Sequence, residues 1–553
     1  MGEASPPQPL MNCESSYQNS SRNLRAVKRS NCSLLAYVII SYILLLYLLH
    51  LPLFFIRTLF YSNLPLMSPQ SLFLAALVAL TSISVTDAQF TSITEPLYSP
   101  ARPPAIPLAV RGPYTSAWST TVNGSTLNSN SVIFWPGNSL GWEGLVTVDG
   151  ITYEYLGTGS QDLPSLPNLK SANPLTVTYD SQYSNFTFAA GPVELTASFL
   201  SAVLPTDICR TSIPLSYLTV TVRTTDNATH NVQLYNDVNG AWMSYENNRT
   251  LEWAMYEGST SINGSSSAGN SSTPFTWLYG LQQPYVFGEE YQFSQWGNFT
   301  FSSAPGAAQN MTYESGYSLD IRYQYLNSHT LKNDVDGVFR GWGDYEPVFA
   351  FAHNLGAVSS QGSTAVTYTL GAVQEPIMRY LSSSGIDSLE PWWSKCYGDI
   401  FQMIAFHYND FSQTQQLASQ WEAQLKADIQ SYYKANPAPA EPAQPTYSNS
   451  SNASDQIIFD SADAYGYLDT DNYTGVAIPG FPEDQAYYSI VALSARQIMG
   501  AYVLAIPPAS NSLSPQNASE PLMFQKEISS DGNVNTVDVM CKLSQLVIYS
   551  HGD

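Results

Sequence analysis

The sequence has few charges. Asp, Glu, Lys and Arg make up 12% of its 553 residues, about half the ~25% usual in soluble domains. Lys and Arg are the scarcer pair, 21 against 44 acidic residues, for a net charge of −23. A protein that binds nucleic acid or an anionic membrane needs the opposite sign. Histidine is scarce as well. His230, His329, His353, His407 and His551 include no pair at zinc-ligand spacing, which argues against a metalloprotease. No phosphate-cradling G-x-x-x-x-G-K run exists. Gly and Pro, 33 and 35, are too few and too irregular for a collagen-like or low-complexity chain. Nothing calls for a metal or a cofactor. Aromatics, by contrast, are plentiful, with 23 Phe, 11 Trp and 37 Tyr, and that composition rules out a disordered chain. The length suits about two to four domains.

The N-terminus reads as two starts. Arg22, Arg25, Lys28 and Arg29 precede an uncharged run whose core, 34–51, is apolar enough to span a bilayer. A second start follows at Met67. The apolar run 71–80 and the small-x-small signal Thr86-Asp-Ala88 have the grammar of a secretory signal peptide cut before Gln89. The first expectation is therefore a signal peptide over 67–88, with 1–66 a spurious extension. The alternative is a translated membrane anchor at 34–51.

Twelve N-x-[ST] sequons follow Ala88: Asn123, Asn185, Asn227, Asn248, Asn263, Asn270, Asn298, Asn310, Asn449, Asn452, Asn472 and Asn517. That number predicts a glycan-bearing extracellular surface. In an exported chain Cys209 and Cys396 are either a disulfide or two buried thiols.

From 105 to 375 the hydrophobic period is two, as in Leu175-Thr-Val-Thr-Tyr179 and Tyr217-Leu-Thr-Val-Thr-Val222. Turn residues separate the runs, so a large antiparallel β-sandwich is expected. The period lengthens at Ser388, read as a cap with Pro391 inside the first turn. One helix is expected through Phe411, a second over Leu417–Tyr432, and a third over Glu483–Ala505. Residues 436–455 read as an exposed loop. The fold class is α+β multidomain, a β-sandwich followed by helices over 388–540.

Few motifs carry chemistry. Gly137-Asn-Ser139-Leu-Gly141 matches a nucleophile elbow, but strand-like residues follow it where the elbow needs a helix, so a β-turn is expected. Asp469-Thr-Asp471-Asn-Tyr-Thr-Gly475 reads as a solvated turn, since Tyr473 stands where a calcium loop needs an oxygen ligand. The remaining candidates are carboxylates among aromatics: Asp344, Glu346, Asp399, Glu527, Asp531 and Asp538. Paired carboxylates supply a general acid and base when their surroundings push their pKa values apart.

Three stretches together resemble the fungal secreted glutaminase A family. They are 99–114 with Gly141–Asp149, then Glu346-Pro-Val-Phe-Ala-Phe-Ala-His353, and then Tyr487–Gln497 followed by Lys526–Asp538. The resemblance covers about 90–540. It implies a β-sandwich followed by an α/α-toroid, here incomplete, and hydrolysis of L-glutamine to L-glutamate and ammonia outside the cell. The site candidates are Asp538, Glu527 and Asp399 as catalytic carboxylates, with Asn533, Asn535 and Lys526 binding substrate. Amides and a carboxylate are suited to orient an amino acid.

The tail 541–553 departs from the family pattern. Cys541-Lys-Leu543 can be encoded with an intron-donor sequence, so a retained intron and an inactive, incomplete chain are expected. A glycoside-active hydrolase and a non-catalytic binding module are the rival readings. N-terminal sequencing of the exported protein is expected to begin at Gln89; a start at Met1 would overturn the signal-peptide reading.

Overall fold

The computed structural model describes residues 95–161, 163, 167–258, 273–306, 310–360, 362–382, 385–435, 482–508, 520–528 and 531–536. All of them belong to one compact unit, Gln89–Asp553. The segments 1–66, 67–88 and 541–553, the loop 436–455, Asp469–Gly475 and His551 lie outside the described residues.

Two sheets build the sandwich. The larger has nine strands in the order Leu97–Ser99, Asn173–Tyr179, Tyr183–Ala190, Val193–Leu200, Ser216–Thr224, Thr364–Val373, Asn298–Ser303, Phe275–Leu281 and Leu251–Tyr256. The smaller has six, in the order Asn310–Tyr317, Pro347–Val358, His230–Asn239, Trp142–Val148, Ile151–Leu156 and Leu169–Ser171. Neighbours pair antiparallel, apart from the edge strands Leu97–Ser99 and Leu169–Ser171, which pair parallel.

The period of two has a direct cause. In Tyr183–Ala190 the residues Ser184, Phe186, Phe188 and Ala190 are buried while their neighbours are half-exposed. Phe186 sits opposite Ala197 and Phe188 opposite Leu195, so both strands turn the same apolar set inward. Trp142–Val148 is instead buried at every position. Trp142, Val146 and Val148 face the core between the sheets, and Leu145 faces a second core on the other side.

That second core is made by a helix the period of two concealed. The six described α-helices are α1 Ile208–Thr211, α2 Ser318–Ser328, α3 Trp392–Tyr397, α4 Ile400–Asn409, α5 Phe411–Ala435 and α6 Glu483–Gly500. Helix α2 lies within the stretch read as short strands separated by turns. Its Ile321, Tyr325 and Leu326 pack on Leu145, Tyr235, Val348 and Ala350. Arg322 of α2 forks onto Asp237, with Nε to Oδ2 at 2.9 Å and Nη2 to Oδ1 at 3.0 Å. The two charge-assisted bonds fix the register of α2 on the strand His230–Asn239.

The helices after the sandwich also differ from expectation. Ser388 is no cap; it lies in a hairpin strand, Gly385–Leu389, paired with Met378–Ser382. Pro391 caps α3. The expected long first helix breaks at Gly398, whose φ of 90° leaves helical space, and Asp399 restarts it as α4. The last helix stops at Gly500, and Tyr502–Ala505 pairs as a strand with Leu522–Gln525.

Three contacts dock the helices on the sandwich. Trp393, Met403 and Ile404 pack on Ile213, Leu215 and Val373. Ala418 of α5 packs on Leu200 and Tyr217. Helix α6 lies on the strand Ala105–Gly112, where a Cβ on Gly500 would meet the Val110 carbonyl oxygen at 2.4 Å. Leu425, Ile429 and Val491 join α5 to α6. Cys209 of α1 and Cys396 of α3 are bonded across 187 residues with a Cα separation of 5.9 Å. No described helix is long and apolar enough to cross a membrane.

Two buried histidines give the fold a pH dependence. His353 donates or accepts at Nε2 with Ser303 Oγ at 3.0 Å, and His407 stacks on Tyr217 with centroids 4.0 Å apart. Burial lowers both to about 3, helped at His407 by the Arg111 charge. The unfolded chain protonates them below about pH 6.5. Between about 6.5 and 3 the unfolded state therefore binds more protons, and stability falls with pH by about 1.4 kcal/mol per histidine per pH unit. Denaturant unfolding of His353→Gln between pH 6.5 and 4 should show a slope shallower by about one proton; an unchanged slope would mean the ring is protonated in the folded state.

Candidate functional site

Residues 525–528 and 531–536 pair back on one another as a hairpin. The strand Leu522–Gln525 delivers Lys526, and the chain turns back so that Glu527 N donates to Asn533 O at 2.8 Å and Gly532 N to Glu527 O at 3.0 Å. Asn535 sits at φ 55°, where Asn is among the few residues at ease. Its backbone N donates to Gln525 O, and its side-chain oxygen accepts from Gln525 N, both at 2.8 Å. The loop presses on the sandwich loop around Gln292. A Cβ on Gly532 would stand 1.9 Å from Gln292 Oε1, and Gln292 Nε2 donates to Asp531 O at 3.0 Å.

The charge of Lys526 is matched from the sandwich. Its ammonium donates to both oxygens of Glu289, at 2.7 and 2.8 Å, and lies 5.5 Å from the centre of the Tyr114 ring. Tyr114 donates its hydroxyl to Glu289 Oε1. Burial first, then the Glu289 charge, pushes the Tyr114 phenol well up, so it stays a neutral donor. Tyr114, Glu289 and Lys526 form a latch between sandwich and helices.

The predicted residues thus divide. Lys526, Glu527, Asn533 and Asn535 share the hairpin. Asp538 lies outside the described residues. Asp399 instead caps α4, its carboxylate accepting from Gln402 N at 2.8 Å. Lys526 and Asn535 are committed to structural bonds, while Asn533 and Asp531 are exposed and Glu527 is half-buried, within 3.3 Å of Thr536 Oγ1. Ser139 follows a turn in which Gly137 N donates to Phe134 O, and lies on a two-residue strand rather than an elbow. Asp344 is exposed. Glu346 accepts from Asn239 Nδ2 at 2.7 Å. Of the sequons, Asn123, Asn227, Asn248 and Asn310 are exposed, Asn185 and Asn298 are half-buried, and the other six lie outside the described residues. Among the described residues no group of three His, Cys, Asp or Glu is placed to hold a metal ion.

A second polar focus escaped the sequence. Arg496 is fully buried; Nη2 donates to Ser184 Oγ at 2.8 Å, while Nε and Nη1 have no hydrogen-bond partner. Burial lowers it to about 10, opposed by the charges of Asp180 and Glu422. Glu422 accepts from Ser181 N and Oγ at 3.1 and 2.6 Å, from Tyr488 Oη, and from Lys426 Nζ at 2.9 Å. Glu289 and Glu422 gave no local signal. Glu289 is 237 residues from Lys526, and Glu422 is 241 from Ser181.

The comparisons bear on what this framework belongs to. Residues 484–552 match the glutaminase A six helical-hairpin domain. Residues 183–428 and 76–167 match two families described as domains of unknown function. The chain is 28% identical over 460 residues to Glutaminase A of Aspergillus oryzae, covering 82% of this chain and 55% of that one. It is 29% identical over 468 residues to a protein of Arthroderma benhamiae named as a probable glutaminase, covering 81% of this chain and 45% of the other. Over these stretches the chain is similar to the glutaminase A family. It spans about half the length of these family relatives. One solved structure, described as a kojibiose phosphorylase from the human microbiome, covers 44% of this chain and 20% of its own at 10% identity and a TM-score of 0.18, a likeness too slight to speak to fold or function.

The latch predicts a coupling. Lys526→Met and Glu289→Gln, measured singly and together by denaturant unfolding, should show an interaction energy of about 1–3 kcal/mol. Additive effects would mean the pair contributes nothing.

Proposed function

We propose that the chain works in hydrolysis of L-glutamine to L-glutamate and ammonia, outside the cell. What supports this reading is the alignment over 460 residues with Glutaminase A of Aspergillus oryzae. The hairpin fits the chemistry. Glu527 and Asp538 are the carboxylates assigned to activate water, and Asn533 the amide that orients the substrate. Water adds to the side-chain carbonyl carbon, its proton passing to the carboxylate. The C–N bond then breaks, and the same proton leaves with ammonia. Lys526 and Asn535 hold the hairpin's shape in this scheme, and Asp399 the start of α4. The exposed sequons and the disulfide suit an exported protein.

The test is ammonia release from L-glutamine by a chimera in which the chain replaces the matching half of the Aspergillus oryzae relative, with the chain alone, expected to release none, beside it. Release that falls at least about a hundredfold in Glu527→Gln is the expected outcome, the usual size of a general-base contribution. Release of sugar from glycans with no ammonia from glutamine in either protein would overturn the reading.

A further inference from the structure

Four parts of the chain close around a cleft of about 620 Å³ on the sandwich. They are the stretch from Ser131 to Gly141, the segment after the strand His230–Asn239, Phe293, and the loop 341–346. The volume lies within the range of small-ligand sites, about 300–1,000 Å³.

The cleft is rigidly built. Asn239 Oδ1 accepts from Gly141 N at 3.0 Å and from Ala241 N at 3.1 Å, and its Nδ2 donates to Glu346 Oε1 at 2.7 Å. One carboxylate oxygen of Glu346 is thereby held by an amide that is itself held twice. Trp342 is fixed by Nε1 donating to Ser244 O at 2.8 Å. Tyr245 stacks on Tyr291 with centroids 4.0 Å apart. Gly141 has no room for a Cβ, which would stand 2.3 Å from Asn239 Cγ, and Gly343 N donates to Asn247 O at 2.8 Å. The loops carrying the lining side chains therefore cannot slide against one another without breaking these bonds.

The lining selects its ligand by charge and shape. Among the described residues it holds Glu246 and Glu346 and no lysine or arginine. Glu246 already has Arg249 at 3.4 Å. An anion finds no counter-charge among these residues, and the α-carboxylate of an amino acid finds none either. The partly exposed rings of Trp342 and Tyr245 line the cleft beside amide and carboxylate acceptors. A neutral ring with C–H groups on its faces and hydroxyls on its edge satisfies both kinds of surface. We infer that the cleft is a saccharide-binding site, taking neutral pyranose rings against Trp342 and Tyr245 with their hydroxyls on Glu346. Asn248, an exposed sequon, lines the same cleft. The saccharide can thus come from a glycan on Asn248 of the chain itself or from a separate oligosaccharide.

The test reads binding, so its failure is separate from failure of the hydrolase reading. The glycosylated full chain and its Asn248→Gln variant are applied to an array of neutral oligosaccharides of N-glycan, fungal-wall and plant-wall types. Hits are then measured by titration calorimetry. Asn248→Gln is expected to bind at least one of them. Glu346→Gln keeps an oxygen to accept from Asn239 and is expected to fold with an unchanged melting temperature. It should weaken binding about tenfold, the size of one lost charged hydrogen bond. Tyr245→Ala should weaken it similarly. Binding by Asn248→Gln alone identifies the chain's own glycan as the occupant, and equal binding by both proteins identifies an external saccharide. No hit with Asn248→Gln, or hits unaffected by both Glu346→Gln and Tyr245→Ala, overturns the inference.

Discussion

The close approach of α6 to the strand Ala105–Gly112 is the constraint on which the second half of the molecule depends. Gly500 permits it, since any side chain there would strike the Val110 carbonyl. Helix α6 seats Arg496 beneath the sandwich strand carrying Ser184 and packs Val491 against α5. It also hands the chain to Tyr502–Ala505, whose pairing with Leu522–Gln525 sets Lys526 opposite Glu289. A displacement at Gly500 would reach the hairpin through rigid, hydrogen-bonded elements.

The seam so formed is polar as well as buried, and that has an energetic meaning. Arg111 and Arg496 are lowered to about 10 because burial penalises their charge. Arg111 keeps one donor bond, to Thr211 O, and its Nη1 has none. Desolvating such groups costs several kcal/mol each unless carboxylates answer them. At Arg496 the answer comes from Asp180 and Glu422, on separate parts of the fold. At Arg210 it comes from Asp410, which meets the guanidinium with two bonds of 2.8 Å beside the Cys209–Cys396 bridge. An apolar seam would hold the two parts with less directionality. A charged one penalises every register but its own.

The two polar regions differ in kind. The hairpin joins strongly charged groups of both signs, fixed by a cation from one side and an anion from the other. The sandwich cleft is acidic and aromatic, with amides setting the direction of its carboxylate. The same scaffold thus carries surfaces suited to unlike ligands, as expected when sites are grafted onto folds rather than dictated by them.

Much of this was written in local pattern. The strands of the sandwich announced themselves because half-buried strands alternate, and α5 because its apolar positions recur at three to four residues. The turn before Ser139 followed from the strand-like residues after it. The family was legible in motifs that recur in order. What escaped was whatever depended on partners distant in the chain. Helix α2 hid among strands because the partners it packs on and the Asp237 that its Arg322 reaches, 85 residues away, are distant in the chain. Asp399 resembled a catalytic acid until Gly398 was seen to break the helix and leave it as a cap. Lys526 resembled a substrate ligand until Glu289 closed on it. By itself the sequence determined most of the sandwich strands, the long helix α5 and the likeness to a known family, because backbone preference and burial period act over a few residues. Only the tertiary structure decided which charges are free, because a charge is spent or available according to what the fold brings within about 3 Å of it.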